Sequence, residues 1–567
     1  MKRILSLALA LLMLLCLFAG CKDQPASPTG GSQPADSSGE ALPTGTAAPP
    51  ETTEPPAPAE LAVPIPEGVA PAEDNARVFY EIFVGSFSDS NGDGIGDIRG
   101  IINRMDYLND GDDASGKSLG IEGIWLTPIF PSSSYHKYDA NDYCAVDSTF
   151  GTLEDVKELA ELCHARNVKL ILDLPINHTS RLSSWYGSFV QAHRNGDKDD
   201  PYYDFYSFYS KGDPAPAGRT FAQISGTDDY YECNFDGGMP ELNFANPDVR
   251  EAVLDVAKFW LDLGVDGFRF DAAKYLYYGD HNSSVEFWVW YLNQLKAIKP
   301  DIYTVAEVWD GDGVTQLYYP AMNCFDFSMS QAEGLISTTA QKGNANRYTK
   351  YVEDYLYTVK ALREDAMIVP FIANHDTDRC AGYLPALNGS AQMAANLLIL
   401  GPGSPFMYYG EELGMRGSRG GANTDANRRL AMVWGDGDTV KDPEGTTYPA
   451  DSRADASAAE QASQENSLFN YYKKVILLRK ANPEIARGAY TALQLNDTRA
   501  GGFVSEWNGS KALVLHNPTG SPVTLNLAAL GLSEFTKLSG FVGMGQVKLE
   551  GGTVTLDAQC SAVLRAG

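Results

Sequence analysis

Gly267-Phe-Arg-Phe-Asp271 places an arginine and an aspartate inside an otherwise apolar run. If the run is a strand, residues two apart share a face, so Arg269 and Asp271 point the same way. Similar short apolar runs recur at Val78–Val84, Ile121–Pro128, Val168–Leu174, Tyr303–Glu307, Ile368–Ala373 and Pro405–Tyr409. Between several of them lie amphipathic stretches of helical period, such as Leu153–Arg166, Asp248–Leu263 and Ser284–Ile298. Strands that are apolar nearly throughout, alternating with helices, predict a parallel sheet covered by helices. Seven or eight such units fit a TIM (β/α)8 barrel better than an open sheet.

In such barrels the functional groups gather at the C-terminal ends of the strands. Those ends read Asp173-Leu-Pro-Ile-Asn177-His178, then Arg269-Phe-Asp271, then Ala306-Glu307-Val-Trp309, then Asn374-His375-Asp376. A guanidinium beside Asp271 is expected to keep that carboxylate charged and nucleophilic. Glu307 sits among Ala306, Val308 and Trp309, and burial beside other carboxylates raises a carboxyl pKa, as a general acid requires. Two carboxyls in unequal settings, about 5 Å apart, are what a retaining glycosidase uses.

The four strand ends resemble the four conserved regions of the alpha-amylase family of glycoside hydrolases, in that family's order. Tyr135-His136-Lys-Tyr138-Asp139, Met239-Pro-Glu241-Leu-Asn243 and Gly403-Ser-Pro-Phe-Met-Tyr-Tyr409-Gly-Glu-Glu412 extend the likeness over roughly Val78 to Ala486. The resemblance implies that Asp271 is the nucleophile, Glu307 the acid/base and Asp376 the third carboxylate, which holds sugar hydroxyls. It further implies that His178 and His375 bind hydroxyls of the cleaved sugar, that Tyr138 is the platform beneath it, that Arg269 supports the nucleophile, and that Lys274 binds substrate. The expected activity is hydrolysis of α-1,4 bonds in starch or maltooligosaccharides. An α-glucosidase, a maltogenic amylase or a transglycosylase on the same site is the alternative. A non-catalytic glucan-binding protein on this fold should have lost one of the three carboxylates, and all three are present. Ala272 stands where relatives that cleave α-1,6 branches typically carry Val, which favours α-1,4 bonds.

After the first strand comes Asp89-Ser-Asn91-Gly-Asp93-Gly-Ile95-Gly-Asp97. Oxygen donors at every second position, with glycines for the turn, suit a hard cation such as calcium. The position-12 Glu of an EF-hand would fall on Gly100, so the likeness to that motif stops at the ligand spacing. Related enzymes carry this loop as a structural calcium site, which implies Asp89, Asn91, Asp93, the carbonyl of Ile95 and Asp97 as ligands. The chain departs from many alpha-amylases in having Lys274-Tyr275 for Lys-His and Asn243 for Asp. Those positions, with the equivalent of Asn177, build the family's calcium site between barrel and domain B. The replacements look like those of oligosaccharide-acting and neopullulanase-like relatives, and leave endo against exo action open.

Outward from the barrel, the likeness divides the chain into a first barrel part (74–178), an inserted domain B (179–246), a second barrel part (247–481) and a C-terminal antiparallel β-sandwich domain (482–567). Tyr202–Tyr209 carries six aromatic residues in eight, readable as sugar-stacking surface or as the core of a small domain. Residues 1–20 form a basic start and a short apolar run ending at Ala19-Gly20-Cys21, too short for a comfortable membrane span. This resembles a bacterial lipoprotein signal, with Cys21 lipidated and the protein exported, anchored to the cell membrane and facing outward. Residues 21–73 are rich in proline and lack aromatic residues, which predicts a disordered tether. With 73 acidic against 44 basic residues, the net charge of −29 excludes nucleic acid or an anionic lipid surface as the main partner. The six cysteines beyond Cys21 show no metal-ligand spacing, and most are expected to be buried free thiols.

Overall fold

A computed structural model of the chain describes residues 73–113 and 115–567. The expected signal, the expected lipidation at Cys21 and all but the last residue of the expected tether lie outside the described residues. Three strands open the barrel: β1 (Phe79–Ile82), β2 (Gly123–Leu126) and β3 (Lys169–Leu174). A small antiparallel sheet then interrupts it, formed by β4 (Phe208–Ser210), β5 (Phe221–Gln223) and β6 (Asp229–Glu232). The barrel resumes with β7 (Gly267–Phe270), β8 (Tyr303–Ala306), β9 (Asn323–Asp326), β10 (Val369–Pro370) and β11 (Phe406–Tyr408).

The eight barrel strands pair in the order β10-β9-β8-β7-β3-β2-β1-β11, all parallel. A bridge between Phe371 and Phe406 joins the two ends of that row and closes it. Strand β9 was not among the expected runs, because Asn-Cys-Phe-Asp has neither an apolar run nor a sustained alternation. Strand β10 is cut short at Pro370, whose nitrogen has no hydrogen to give the ladder.

Inward-facing residues fill the barrel as a packed core of Phe79, Trp125, Ile171, Tyr303, Val305, Phe325, Phe327, Val369, Phe371 and Phe406. Gly123 is required here, since a Cβ would lie 2.3 Å from the Phe79 ring. Above this layer the same inward positions turn polar: Glu81 follows Phe79 by two, Asp173 follows Ile171, and Glu307 follows Val305. The helices cover the outside through their apolar stripes. Leu153–Ala165 starts with a capping box between Thr152 and Asp155. Pro247–Leu263 starts with an Asn246 cap and a proline in its first turn, and stops at Gly264 with φ +113.

The Tyr202–Tyr209 run belongs to the core of the inserted sheet. Tyr206 and Phe205 are buried, and the run packs on Trp185, Tyr186, Phe189 and His193 of the helix Ser184–Asn195. At the C-terminus two antiparallel sheets face each other. One has five strands, β12 (Ala489–Ala492), β13 (Gly501–Trp507), β14 (Ser510–Asn517), β16 (Phe535–Gly543) and β19 (Cys560–Ala566). The other has three, β15 (Val523–Asn526), β17 (Val547–Glu550) and β18 (Thr553–Leu556). Leu513, Leu515, Leu525, Val554, Leu556 and Leu564 meet between them in a separate core, as in a β-sandwich. The cysteines among the described residues are all unpaired, and every one but Cys144 is buried.

Candidate active site

The polar layer above the barrel core is organised by Arg269, which is fully buried. Its Nη1 donates to both oxygens of Asp173 at 2.8 and 2.9 Å and to Oδ1 of Asp271 at 2.6 Å. Its Nη2 lies 3.3 Å from Oε2 of Glu307. One guanidinium therefore faces three carboxyls, one on β3 and one just past the end of each of β7 and β8, the arrangement that adjacent parallel strands in register produce. The rings of Trp125 and Tyr138 flank the same cation.

The carboxyls differ in their surroundings. Burial raises Glu307 to about 7; Arg269 pulls against this, while Asp271 and Asp376 push in the same direction. The backbone amide of Ala272 donates to its Oε2 at 2.9 Å. Burial likewise lifts Asp173 to about 7 against the pull of Arg269. For Asp376 burial acts upward too, but His375 and Arg429 override it and hold the carboxyl well below the usual range. His375 Nε2 is 3.0 Å from Asp376 Oδ2, and Arg429 Nη2 donates to Oδ1 at 2.7 Å.

His375 itself is enclosed. Its Nδ1 is 2.5 Å from Oε1 of Glu81, and its ring stacks on Tyr138 at 5.4 Å between centroids. Burial disfavours its charge, yet Asp376 and Glu81 raise it to about 10. Tyr138 donates to Asp173 at 2.8 Å and lies 2.7 Å from His375 Nε2. His178 is buried with a lowered pKa, caused by that burial, and its Nε2 has no protein partner. A buried nitrogen so placed at a cleft is free for a ligand hydroxyl.

Asp271, Glu307, Asp376, Tyr138 and His178 line one cleft of about 710 Å³, with Tyr135, His136, Phe235, Tyr275, Trp309 and Arg429 among the other walls. Lys274 is not a wall of it. Its ammonium donates to the Trp309 carbonyl at 2.7 Å and to Asp310 at 2.9 Å, bracing the loop that follows Glu307. Three participants escaped the sequence reading. Arg429 follows β11 in a stretch without pattern. Phe235 comes from the inserted region and packs against His178 and Tyr275. Glu81 was legible in principle, as a lone acid inside an apolar strand two residues from a core phenylalanine. Ala272 has φ +49, the left-handed region that residues with a Cβ seldom adopt.

Away from the cleft, the Asp89–Asp97 loop is shaped by its own oxygens. Asp89 accepts the amides of Asn91, Gly92 and Gly94, Asn91 that of Asp93, and Asp93 that of Ile95. Asp97 caps the helix Ile98–Asn103 by accepting the Gly100 amide. Gly92 and Gly94 take left-handed φ values of +87 and +95. The donors are all oxygen, the set a calcium ion prefers. Among the described residues no group of three or more His, Cys, Asp or Glu side chains is gathered as a metal cluster, so the fit rests also on Asn91 and the Ile95 carbonyl.

Known proteins share this chain's plan. The family model described as alpha amylase, catalytic domain, matches residues 81–488. Alpha-amylase 3 of Dictyoglomus thermophilum is 33% identical over 443 residues, spanning 78% of this chain and 84% of its own length. An oligo-1,6-glucosidase of Bacillus cereus is 30% identical over 521 residues, spanning 78% and 90%. Among solved structures, Eubacterium rectale Amy13B superposes with a TM-score of 0.79 at 33% identity, covering 88% of this chain and 96% of that one.

Proposed function

This chain belongs to the alpha-amylase family of glycoside hydrolases, and from that membership we propose that it cleaves α-1,4-glucosidic bonds with retention, at the outer face of a cell. Asp271 attacks the anomeric carbon, Glu307 protonates the departing oxygen and then activates water, and Asp376 holds sugar hydroxyls as the ring distorts. The observation that carries this reading is the single guanidinium of Arg269 spanning Asp271 and Glu307. It brings both carboxyls to one cation, while burial keeps Glu307 protonated near neutrality and so able to donate. Tyr138 and His178 border the place where the sugar sits, whereas His375, expected to bind a hydroxyl itself, is fully buried behind Tyr138 and Asp376 and is not a wall of the cleft. The small side chain of Ala272 leaves the α-1,4 path open.

Membership in the family extends to proteins named alpha-amylase and oligo-1,6-glucosidase, so the products decide among the readings. Chromatography of digests of starch, maltotetraose and pullulan tests the proposal. Maltooligosaccharides from starch, with pullulan cut at its α-1,4 bonds or left intact, are expected. Activity confined to α-1,6 bonds would refute it. The same proposal assigns a structural calcium to Asp89, Asn91, Asp93, the Ile95 carbonyl and Asp97, supported by the all-oxygen donors and the glycine-permitted turns. It places the enzyme on the membrane through lipid on Cys21, supported by the sequence of the first 21 residues.

A further inference from the structure

Glu81 is inward-facing on β1, one strand position above the aromatic core, and 1% exposed. A carboxyl buried so deeply is costly to keep unless a partner repays its desolvation. Its partner is His375. Oε1 lies 2.5 Å from the ring Nδ1, and the same oxygen accepts the His375 backbone amide at 3.3 Å, which marks it as an acceptor. On the other side of the ring, Nε2 faces two more oxygens, Tyr138 Oη at 2.7 Å and Asp376 Oδ2 at 3.0 Å. The Tyr138 hydroxyl gives its own proton to Asp173, and Asp376 already accepts from Arg429. Both ring nitrogens therefore meet acceptors, and both must donate.

Resting on the reading of Asp271, Glu307 and Asp376 as the catalytic carboxylates, we propose that Glu81 is a positioning residue. By accepting the Nδ1 proton it keeps both nitrogens of His375 donating, with Nε2–H held between Tyr138 and Asp376. Tyr138 and Asp376 border the cleft that receives the sugar to be cleaved. With Glu81 neutralised, one nitrogen gives up its proton. Either Tyr138 and Asp376 then lose their shared donor, or Glu81 loses its own, and the ring no longer has a single preferred setting. Six other groups face this histidine or its immediate partners. Asp376 adjoins it in sequence, Tyr138 comes from the loop after β2, Asp173 from β3 and Arg269 from β7 by way of Tyr138. Arg429 donates to the His375 carbonyl at 3.0 Å, and the Trp125 ring meets the imidazole edge-on at 5.7 Å. Among these only Asp376 offers a carboxylate directly to the ring besides Glu81, so removing the Glu81 charge leaves one where there were two.

The test uses the whole chain and E81Q, which keeps size and an acceptor oxygen but no charge. Imidazole 15N spectra without substrate, with the His375 signal assigned by its loss in H375N, report protonation at each nitrogen. The wild type should show both nitrogens protonated beyond pH 8. In E81Q the titration midpoint should fall by about three pH units, the upper end of the effect of one close opposite charge. On maltotetraose, kcat/KM of E81Q relative to wild type should decline by about tenfold as pH rises from 5 to 8. A His375 singly protonated at pH 7 in the wild type would overturn the proposal. So would a relative kcat/KM that stays flat across that range, because a merely structural loss has no reason to follow pH. If E81Q does not fold, the wild-type spectra decide alone. Because they are read without substrate, their failure leaves the catalytic assignment standing, whereas an active D271N would sink that assignment and leave the spectra untouched.

Discussion

At the scale of single residues, one cation and one imidazole set the chemistry. Arg269 lies against both Asp271 and Glu307, and burial raises Glu307 so that it keeps a proton near neutrality. Replacing Glu307 with Gln removes the donor and replacing Asp271 with Asn removes the nucleophile. Each should lower kcat on maltooligosaccharides by roughly a hundred- to ten-thousand-fold or more, with an unchanged circular dichroism spectrum. Near-wild-type turnover by either variant would refute its role. The pH dependence follows from the raised carboxyl. Glu307 must be protonated to act, and its protonated fraction falls as pH rises through about 7. The alkaline limb of kcat/KM for a neutral oligosaccharide is thus expected near pH 7, well above the ordinary range for a glutamate, and a pH–rate profile measures it. Ala272 carries the linkage prediction. A272V should depress activity on maltotriose relative to panose by about tenfold, since pocket fit at the scale of a methylene is worth roughly 1–3 kcal/mol. The left-handed φ at this position penalises a β-branched side chain by about 1–3 kcal/mol as well. The ratio of kcat/KM values, which does not depend on how much enzyme is folded, is therefore the quantity to measure.

At the scale of elements, the loops after the strands do the positioning. Lys274, expected to touch substrate, instead ties the loop after β7 to the loop after β8 through Trp309 and Asp310. The inserted region buries Phe205 and Tyr206 of its aromatic run, leaves the other four half-buried, and lends the cleft Phe235. The Asp89–Asp97 loop makes a prediction of its own. A cation bound only to the native state stabilises it by mass action, about 2.7 kcal/mol at a hundred times Kd. Chelator should lower the Tm of the wild type by several degrees, and D93A should melt at one temperature with or without it. Equal wild-type melting in both conditions, together with no calcium by elemental analysis, would reduce the loop to a bare turn.

At the scale of the whole molecule, the candidate catalytic groups gather at one mouth of the barrel. Attachment to a membrane is tested at Cys21. C21A should release active enzyme from cells that otherwise retain it, because lipid anchors of two or more chains hold a protein firmly. Wild-type enzyme found free outside the cells would refute the anchor. Among the described residues no helix is long and apolar enough to cross a membrane.

Local sequence by itself determined the barrel class, seven of its eight strands and most of the cleft: short, nearly continuous apolar runs mark strands, period 3.6 marks their helices, and strand ends in register must share one mouth. Asp271, Glu307, Asp376, His178, Arg269 and Tyr138 were legible because each sits in or beside such a pattern. Tertiary structure alone decided the rest. Strand β9 has no pattern of its own and exists because β8 and β10 leave a gap that only an eighth strand can close. Arg429 reaches Asp376 from 53 residues away, a contact that no spacing encodes. Glu81 meets His375 across 294 residues, from the first strand of the barrel to the loop after its seventh. Closure of the sheet on itself makes neighbours of groups that begin and end the fold, and the physical reason is that burial and opposing charge act through space, where the chain's order carries no weight.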